Sequence, residues 1–325
     1  MLPRCKDSTS SNQIKYYLAR NRTPRIDATY QVSSRARIFE EGKPAMSLVS
    51  ELRPAAAAAQ AGAHHPPFIE TADGVQLFYK DWGAGKPVLF CHPWALNADI
   101  WEYQLIGLSE QGLRCVAYDR RGHGRSQDPG RDYDYPTLAD DLATVIEHLD
   151  LREITLVGYS MGSGEAVHYL SRYGAERVSR VVLVSPTAPI GTAGMFDSFV
   201  AGLRNDRPAF MTGGVSLFLG PQPPVSAAMA QWVTDQFLRA SPMAVIQFMR
   251  TIAGGDLRPQ LRAVNVPTLI IHGDNDMVNR IDTTGRKMAE EIPGCEFRVY
   301  EGAPHGLAVT HRDRLREDLL KFIQS

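Results

Sequence analysis

The chain has no apolar run long enough to cross a bilayer, and no hydrophobic secretory-signal core near residue 1. It also lacks a charge excess, since its formal net charge is only -1. A near-neutral balance does not favour a nucleic-acid partner. We therefore expect a cytoplasmic protein with no membrane span and no nucleic-acid partner.

Cysteine is scarce as well. The four cysteines, Cys5, Cys91, Cys115 and Cys295, are widely separated, and Cys91 and Cys115 fall within or beside predicted strands. This pattern predicts buried free thiols and not a disulfide framework. Two adjacent histidines, at 64 and 65, have no carboxylate or thiolate nearby, which makes a poor metal site. We predict no metal and no other cofactor.

Residues 1–66 differ from the rest of the chain. They contain scattered arginine and serine, an alanine tract at 55–59 and little periodic apolar pattern. We predict an irregular or disordered extension. An arginine-rich targeting segment, or a true start at Met46, are alternatives that composition does not separate.

From Phe68 onward, strands alternate with helices. A hairpin is predicted around Asp73-Gly74, and the later strands, such as 114–119 and 178–185, are nearly continuous apolar runs. Such strands are typical of a mostly parallel sheet that helices cover on both faces. With 44% hydrophobic residues, the chain can build a sizeable core. The fold class is α/β.

The alternation stops between residues 186 and 263. This stretch is rich in Gly, Pro, Phe, Met and Ala, and parts of it, such as 226–240, have helical patterns. We predict a helical cap, or lid, inserted over the C-terminal edge of the sheet. The core then comprises residues 67–185 and 264–325.

The pentapeptide Gly158-Tyr159-Ser160-Met161-Gly162 lies between an apolar strand and a predicted helix. A serine on such a strand-to-helix turn needs small residues two positions away on either side, because the turn is strained and the helix packs close to the strand. The serine hydroxyl would then project at the N-terminus of a helix, where negative charge is favoured. Ser160 is therefore a candidate nucleophile.

A serine hydroxyl becomes nucleophilic when a histidine, itself oriented by a carboxylate, takes its proton. After Ser160, an acidic loop at 273–276 follows one predicted strand, and a histidine loop at 302–306 follows the next. This order, acid before histidine, is typical of hydrolases with such a serine turn. The spacing alone leaves Asp274 and Asp276 both open as the acid.

From about Phe68 to Ile323, the chain resembles the α/β-hydrolases and, within them, the cofactor-free haloperoxidases, also described as perhydrolases and aryl esterases. The motifs that carry the resemblance are Ala98-Asp99-Ile100-Trp101-Glu102, the loop 119–126, the serine turn, the stretch 266–276 and Glu301-Gly302-Ala303-Pro304-His305-Gly306-Leu307.

The resemblance implies an α/β-hydrolase fold and assigns a role to each matching position. It makes Ser160 the nucleophile, His305 the general base and Asp276 the orienting acid. The backbone N–H groups of Trp94 and Met161 would form the oxyanion hole, in which fixed donors stabilise the tetrahedral oxygen.

One motif departs from the family pattern. Where the family usually has His-Gly-Trp-Pro-Leu, this chain has His92-Pro93-Trp94-Ala95-Leu96. In the family, the proline after the tryptophan accompanies the formation of peracids from carboxylic acids and hydrogen peroxide. Its absence at Ala95 favours ester hydrolysis.

We expect a small-molecule ester or lactone substrate in an apolar pocket, and a homo-oligomer is possible. The predicted pocket residues are aromatic side chains of the insertion together with one residue beside the histidine loop: Phe196, Phe199, Phe210, Phe218, Trp232, Phe237 and Leu307. The preferred activity is that of a serine carboxylesterase with an acyl-enzyme intermediate. A perhydrolase or lactonase would use the same triad, and a non-catalytic binding protein is a further alternative.

Several polar residues near these motifs have simpler interpretations. His92 and His272 each end a predicted strand, and His123 lies in a glycine-rich loop, so we expect structural hydrogen bonds for all three. Glu165 follows Ser160 by about one helical turn, and we expect a helix residue whose hydrogen bonds are satisfied.

Overall fold

The computed structural model describes residues 67–191 and 196–325. The predictions for residues 1–66, including the extension, Cys5 and a start at Met46, lie outside the described residues. Within these ranges a single sheet contains eight strands: β1 (Phe68–Glu70), β2 (Gln76–Trp82), β3 (Lys86–Cys91), β4 (Leu113–Tyr118), β5 (Ile154–Tyr159), β6 (Val178–Val184), β7 (Thr268–Gly273) and β8 (Glu296–Tyr300).

The sheet is mostly parallel, as predicted. Its strand order is β1-β2-β4-β3-β5-β6-β7-β8, and only the β1–β2 and β2–β4 pairs are antiparallel. The predicted hairpin around Asp73-Gly74 joins β1 to β2. Parallel neighbours need crossover connections, so the chain alternates strands with helices and covers both faces.

Alternate side chains of the central strands enter two different apolar clusters. In β3, Val88 and Phe90 pack into one cluster, while Leu89 and Cys91 pack into the other. This alternation follows from the two-residue period of a strand. The continuous apolar runs of the sequence are therefore explained by burial on both faces, which confirms the predicted α/β class.

Helices connect the strands within the described ranges. They are α1 (Glu102–Ser109), α2 (Tyr135–His148), α3 (Met161–Tyr173), α4 (Phe196–Asn205), α5 (Arg207–Leu219), α6 (Ala227–Arg239), α7 (Pro242–Gly254), α8 (Arg258–Arg262), α9 (Gly285–Glu291), α10 (Leu307–Thr310) and α11 (Arg312–Gln324). A 3₁₀ turn, Ala98–Trp101, precedes α1. Helices α4 to α8 lie between β6 and β7, where the sequence predicts an inserted helical stretch.

No helical pattern in the sequence indicated α5. This helix begins after Asp206, whose side chain accepts a hydrogen bond from the Ala209 N–H at 3.0 Å, and Pro208 occupies its first turn. Gly213 and Gly214 lie in its middle, and each glycine costs about 1 kcal/mol of helix stability relative to alanine. Packing of Met211, Val215 and Phe218 into the core outweighs that cost.

Cys91 and Cys115 are buried free thiols, as predicted, and Cys295 is a half-buried one. No helix among the described residues combines the length and the apolar character that a membrane span requires. The cytoplasmic location and the possible homo-oligomer stay predictions.

Candidate active site

Ser160 occupies a strained turn between β5 and α3. Its backbone has φ 53° and ψ -114°, a region that residues other than glycine seldom adopt. A Cβ on Gly158 would lie 2.5 Å from the Gly162 carbonyl oxygen, and one on Gly162 would lie 2.4 Å from the Cys91 carbonyl oxygen. These approaches are the physical reason for the glycine spacing that the sequence suggested.

Ser160, His305 and Asp276 form a continuous hydrogen-bonded line. His305 Nε2 lies 3.1 Å from Ser160 Oγ, and His305 Nδ1 lies 2.6 Å from Asp276 Oδ2. The three residues follow β5, β8 and β7 at the C-terminal edge of the sheet, and all three are buried. Tyr159 OH donates to the His305 carbonyl oxygen, which holds the histidine loop against the core. The arrangement can pass a proton from the hydroxyl to the imidazole.

Asp276 accepts three hydrogen bonds and lies close to a fourth donor. Its Oδ1 accepts the N–H groups of Val278 at 2.9 Å and Asn279 at 2.7 Å, and its Oδ2 faces His305 and, at 3.2 Å, His272 Nε2. Burial alone would raise the pKa of this carboxyl, but the charges and hydrogen bonds of His305 and His272 hold the pKa well below its usual range. Asp276 therefore stays ionised, and His272, expected to be only structural, contacts the acid directly.

The alternative acid, Asp274, lies elsewhere. Its side chain is exposed, and its Oδ1 accepts the Gly302 N–H at 2.6 Å. This bond links the loop after β7 to the turn after β8. Of the two carboxylates that spacing left open, only Asp276 lies at hydrogen-bond distance from His305.

The predicted oxyanion donors lie on two different elements. Met161 is the first residue of α3, so its N–H has no acceptor within the helix. Trp94 lies in the loop after β3, and within the described residues its backbone N–H donates to no loop or side-chain acceptor. The Trp94 indole Nε1 donates to the Val245 carbonyl oxygen of α7 at 2.9 Å, which ties this loop to the inserted helices.

His92 orients the peptide that carries the Trp94 N–H. Its Nε2 accepts the Arg120 backbone N–H at 3.0 Å, so the ring proton lies on Nδ1 and is donated to the Pro93 carbonyl oxygen at 2.8 Å. That oxygen and the Trp94 N–H belong to one planar peptide unit. Arg120 Nη2 also donates to the His92 carbonyl oxygen at 2.8 Å. The expected structural role of His92 thus has a direct bearing on the predicted oxyanion hole.

Arg120 is itself held by Glu165. Its Nε donates to Glu165 Oε2 at 3.0 Å, and both side chains are buried. Burial raises the pKa of the Glu165 carboxyl well above its usual range and lowers that of Arg120 to about 10. Glu165 Oε1 has no hydrogen-bond partner among the described residues, so the expectation that all its hydrogen bonds are satisfied is wrong. Arg120 therefore pairs with only one oxygen of the carboxylate.

The predicted pocket residues divide into two groups by their contacts. Phe218 packs against His305, with ring centroids 5.6 Å apart, and Phe199 packs against Trp94 at 6.0 Å. These two residues border the predicted site directly. The others pack behind or beside them: Phe210 contacts Phe199, Phe237 contacts Phe218, Phe196 lies in the cluster that adjoins Trp94, and Leu307 is fully buried two residues after His305.

Trp232 makes a different contact. Its ring lies edge-on to Tyr103 of α1, with centroids 6.2 Å apart, and the Tyr103 hydroxyl faces Met229 of α6. This contact favours a packing role between α6 and α1 over the predicted pocket role. A separate groove of about 520 Å³ lies near this region, and none of the predicted triad or pocket residues lines it; it is bordered by residues 224–226, Met229 and residues 309–314.

Ala95 has a left-handed backbone conformation, with φ 59°. Proline fixes φ near about -65°, so this backbone cannot hold the proline that the resembling family has here. We expect Ala95→Pro to lower the free energy of unfolding by more than about 1 kcal/mol. Glycine accepts this φ, so Ala95→Gly is the control and should change stability by less than about 1 kcal/mol. Urea unfolding measures both, and equal effects would contradict the strained conformation.

His123 should make stability depend on pH. Burial, followed by the charge of Arg120, lowers the pKa of His123 to about 3. In the unfolded chain the His123 imidazole binds a proton near pH 6.5, whereas in the folded chain it stays neutral until about pH 3. The free energy of unfolding therefore falls as pH drops from about 6.5 toward 3. His123→Gln should reduce this slope by an amount that grows to about 1.4 kcal/mol per pH unit as pH falls below about 5.5. Urea unfolding between pH 7.5 and 5 measures it, and an unchanged slope would refute the buried neutral state.

Sequence reasoning also missed Asn279. Its Nδ2 lies 3.5 Å from Ser160 Oγ, and it follows Asp276 by three residues. No motif singles it out, because an asparagine in a loop is ordinarily a turn residue. Only the position of the loop against the end of β6 brings its amide to the serine.

Known proteins resemble this chain over most of its length. A family model described as alpha/beta hydrolase fold matches residues 86–228. A non-heme chloroperoxidase of Kitasatospora aureofaciens is 39% identical over 279 residues, which cover 79% of this chain and 99% of the relative. A bifunctional esterase/perhydrolase of Acinetobacter calcoaceticus is 34% identical and covers 79% of this chain and 99% of itself.

A solved structure gives the same result. An esterase from Exiguobacterium antarcticum superposes with a TM-score of 0.77 at 32% sequence identity. The match covers 80% of this chain and 100% of that protein. These relatives include both halogenating and ester-cleaving names, so the similarity alone does not choose between the two activities.

Proposed function

The chain belongs to the α/β-hydrolase fold family and is an enzyme, and we propose that it is a serine carboxylesterase for small apolar or aryl esters. The observation that carries the proposal is the hydrogen-bonded line from Ser160 through His305 to Asp276. A hydroxyl, an imidazole and an ionised carboxylate in this order are the parts that acyl transfer requires.

In the proposed mechanism, Ser160 Oγ attacks the ester carbonyl carbon while His305 Nε2 takes the hydroxyl proton. Asp276 accepts the His305 Nδ1–H and stabilises the imidazolium that forms. The N–H groups of Trp94 and Met161 donate to the tetrahedral oxyanion. His305 then gives its proton to the departing alcohol, an acyl-enzyme remains, and a water activated by His305 releases the acid.

The apolar surroundings support a small hydrophobic substrate. Phe218 lies beside His305, and Phe199 lies beside Trp94, so aromatic side chains border the site on the side of the inserted helices. Such a wall favours the burial of an alkyl or aryl group over a charged one. We propose that helices α4 to α8 act as the lid of this pocket.

A perhydrolase is the second candidate, because one relative is named an esterase/perhydrolase. That activity would add hydrogen peroxide in place of water to the same acyl-enzyme. The backbone at Ala95 argues against it, since its φ of 59° differs from the conformation that a proline imposes there. A lactonase would use the same residues on a cyclic ester.

A substrate panel tests the proposal. Short p-nitrophenyl esters, longer alkyl esters and acyl-homoserine lactones are assayed for hydrolysis. The corresponding carboxylic acids are assayed for bromination with hydrogen peroxide and bromide. We expect short aryl esters to have the highest kcat/KM and peroxide-dependent bromination to be slow. Faster peracid formation than ester hydrolysis would refute the proposed preference, and the absence of any ester hydrolysis would refute the esterase itself.

A further inference from the structure

The side-chain amide of Asn279 faces three oxygen atoms at the nucleophile. Its Nδ2 lies 3.1 Å from the Ser185 carbonyl oxygen, 3.1 Å from the Pro186 carbonyl oxygen and 3.5 Å from Ser160 Oγ. Carbonyl oxygens only accept hydrogen bonds, so they fix which end of the amide faces them. The nitrogen is therefore the end directed at the serine. Its two hydrogens face three acceptors, so one of them is shared between a carbonyl oxygen and Ser160 Oγ.

The backbone of Asn279 is held as firmly as its side chain. Its N–H donates to Asp276 Oδ1 at 2.7 Å, and its carbonyl oxygen lies 2.8 Å from His272 Nε2. One residue therefore contacts both the acid and the nucleophile of the predicted triad. An amide positioned on both sides in this way loses little conformational freedom when it donates a hydrogen bond.

The Asn279 amide can donate a hydrogen bond to Ser160 Oγ during the reaction. The hydroxyl proton points to His305 Nε2, so the lone pairs of Oγ remain available to accept a hydrogen bond. Oγ gains negative charge as it attacks a carbonyl carbon, and again as it departs from an acyl-enzyme. A donor aimed at an oxygen that gains charge contributes more in the transition state than in the resting state.

We propose that Asn279 is a further catalytic residue, whose Nδ2–H group donates to Ser160 Oγ and stabilises the charge on this oxygen during acylation and deacylation. The proposal rests on the proposed esterase function. No bond to Asn279 forms or breaks, and its protons stay on Nδ2 while the serine proton moves to His305 and back. The resting distance of 3.5 Å shortens as Oγ becomes more negative.

Asn279→Leu, which removes the donor and keeps a similar size, tests the proposal. The matched control is Asn275→Leu in the same loop, because the Asn275 side chain is exposed. We expect Asn279→Leu to lower kcat and the rate constant of fluorophosphonate labelling by about 10- to 100-fold, since a longer bond contributes less than an oxyanion-hole donor. KM should stay within about two-fold, and Asn275→Leu should match the unchanged protein.

The pH dependence of kcat/KM separates this role from a structural one. A variant that acts only by loosening Asp276 would shift the midpoint of the acid limb, because this limb reports the general base that Asp276 orients. We expect Asn279→Leu to lower the plateau and leave this midpoint unchanged. A shifted midpoint, or an unchanged plateau, overturns the proposal.

A second variant covers the case in which Asn279→Leu does not fold. Asn279→Asp keeps the side-chain shape, but an ionised carboxylate has no proton to donate, and it repels the Ser185 and Pro186 carbonyl oxygens as well as the charge on Oγ. We expect it to lower kcat at least as much as leucine, and full activity would overturn the inference. If wild-type protein hydrolyses esters and these variants match it, only the inference fails. If wild-type protein neither hydrolyses esters nor binds fluorophosphonate, the proposed function itself fails.

Discussion

Replacement of Ser160 by alanine should lower kcat for ester hydrolysis by about 10⁶-fold, because no acyl-enzyme can form without the hydroxyl. His305 and Asp276 cannot compensate for the missing hydroxyl, since a general base without a nucleophile can only activate water, and that reaction is slow. Steady-state hydrolysis of a p-nitrophenyl ester measures the loss. Intact-mass analysis after fluorophosphonate treatment should show one added label on the wild-type protein and none on Ser160→Ala.

Ser163→Ala is the matched control for this loss. Ser163 is buried in the first turn of α3, and its Oγ donates to the Gly158 carbonyl oxygen at 3.0 Å, away from His305. Its removal should cost about 1 kcal/mol of stability and leave labelling intact. Labelling that persists in Ser160→Ala, or that disappears in Ser163→Ala, would contradict the assignment of the nucleophile.

The serine turn could be predicted because its requirements are local. Small residues must flank Ser160, because its backbone is strained and α3 lies close to β3. Both small residues, Gly158 and Gly162, fall within the same five-residue segment. The parallel sheet was predictable for a similar reason, since burial on both faces leaves continuous apolar runs in the sequence. Local sequence patterns therefore predict the fold class and the position of Ser160.

The direction of a side chain within a loop is not determined by the neighbouring sequence. Asp274 and Asp276 share one loop, yet Asp274 bonds to the Gly302 N–H after β8, while Asp276 turns to His305. The difference depends on how two loops from neighbouring strands meet. Residue spacing carries no information on it, and the family resemblance supplied the choice.

The same limit explains Asn279 and the Arg120–Glu165 pair. Asn279 reaches Ser160 across 119 positions of sequence, and Arg120 reaches Glu165 across 45. Neither contact leaves a periodic or motif signal. The helix α5 was missed for the opposite reason: its local sequence, with two adjacent glycines, opposes the helix that tertiary packing enforces.

Replacement of Asp276 by asparagine should lower kcat by about 10⁴-fold while the fold persists. The carboxylate accepts the His305 Nδ1–H, which leaves Nε2 free to take the serine proton. An amide can instead donate to Nδ1, which moves the ring proton to Nε2, where it blocks proton transfer from Ser160. Because Asp276 stays ionised far below neutral pH, wild-type protein should not lose this carboxylate between about pH 5 and 8.

Asp274→Asn is the matched control, since it removes the same charge two residues earlier. Its amide oxygen can still accept the Gly302 N–H, so the turn after β8 keeps its anchor. We expect kcat within about two-fold of the wild-type value, as for other exposed sites. Both variants remove one negative charge, so a difference in kcat between them reports the position of the carboxylate. A large loss in Asp274→Asn together with near-normal activity in Asp276→Asn would mean that Asp274 is the acid. It would also require His305 to leave the hydrogen-bonded line, because Asp274 cannot reach that ring while it holds Gly302.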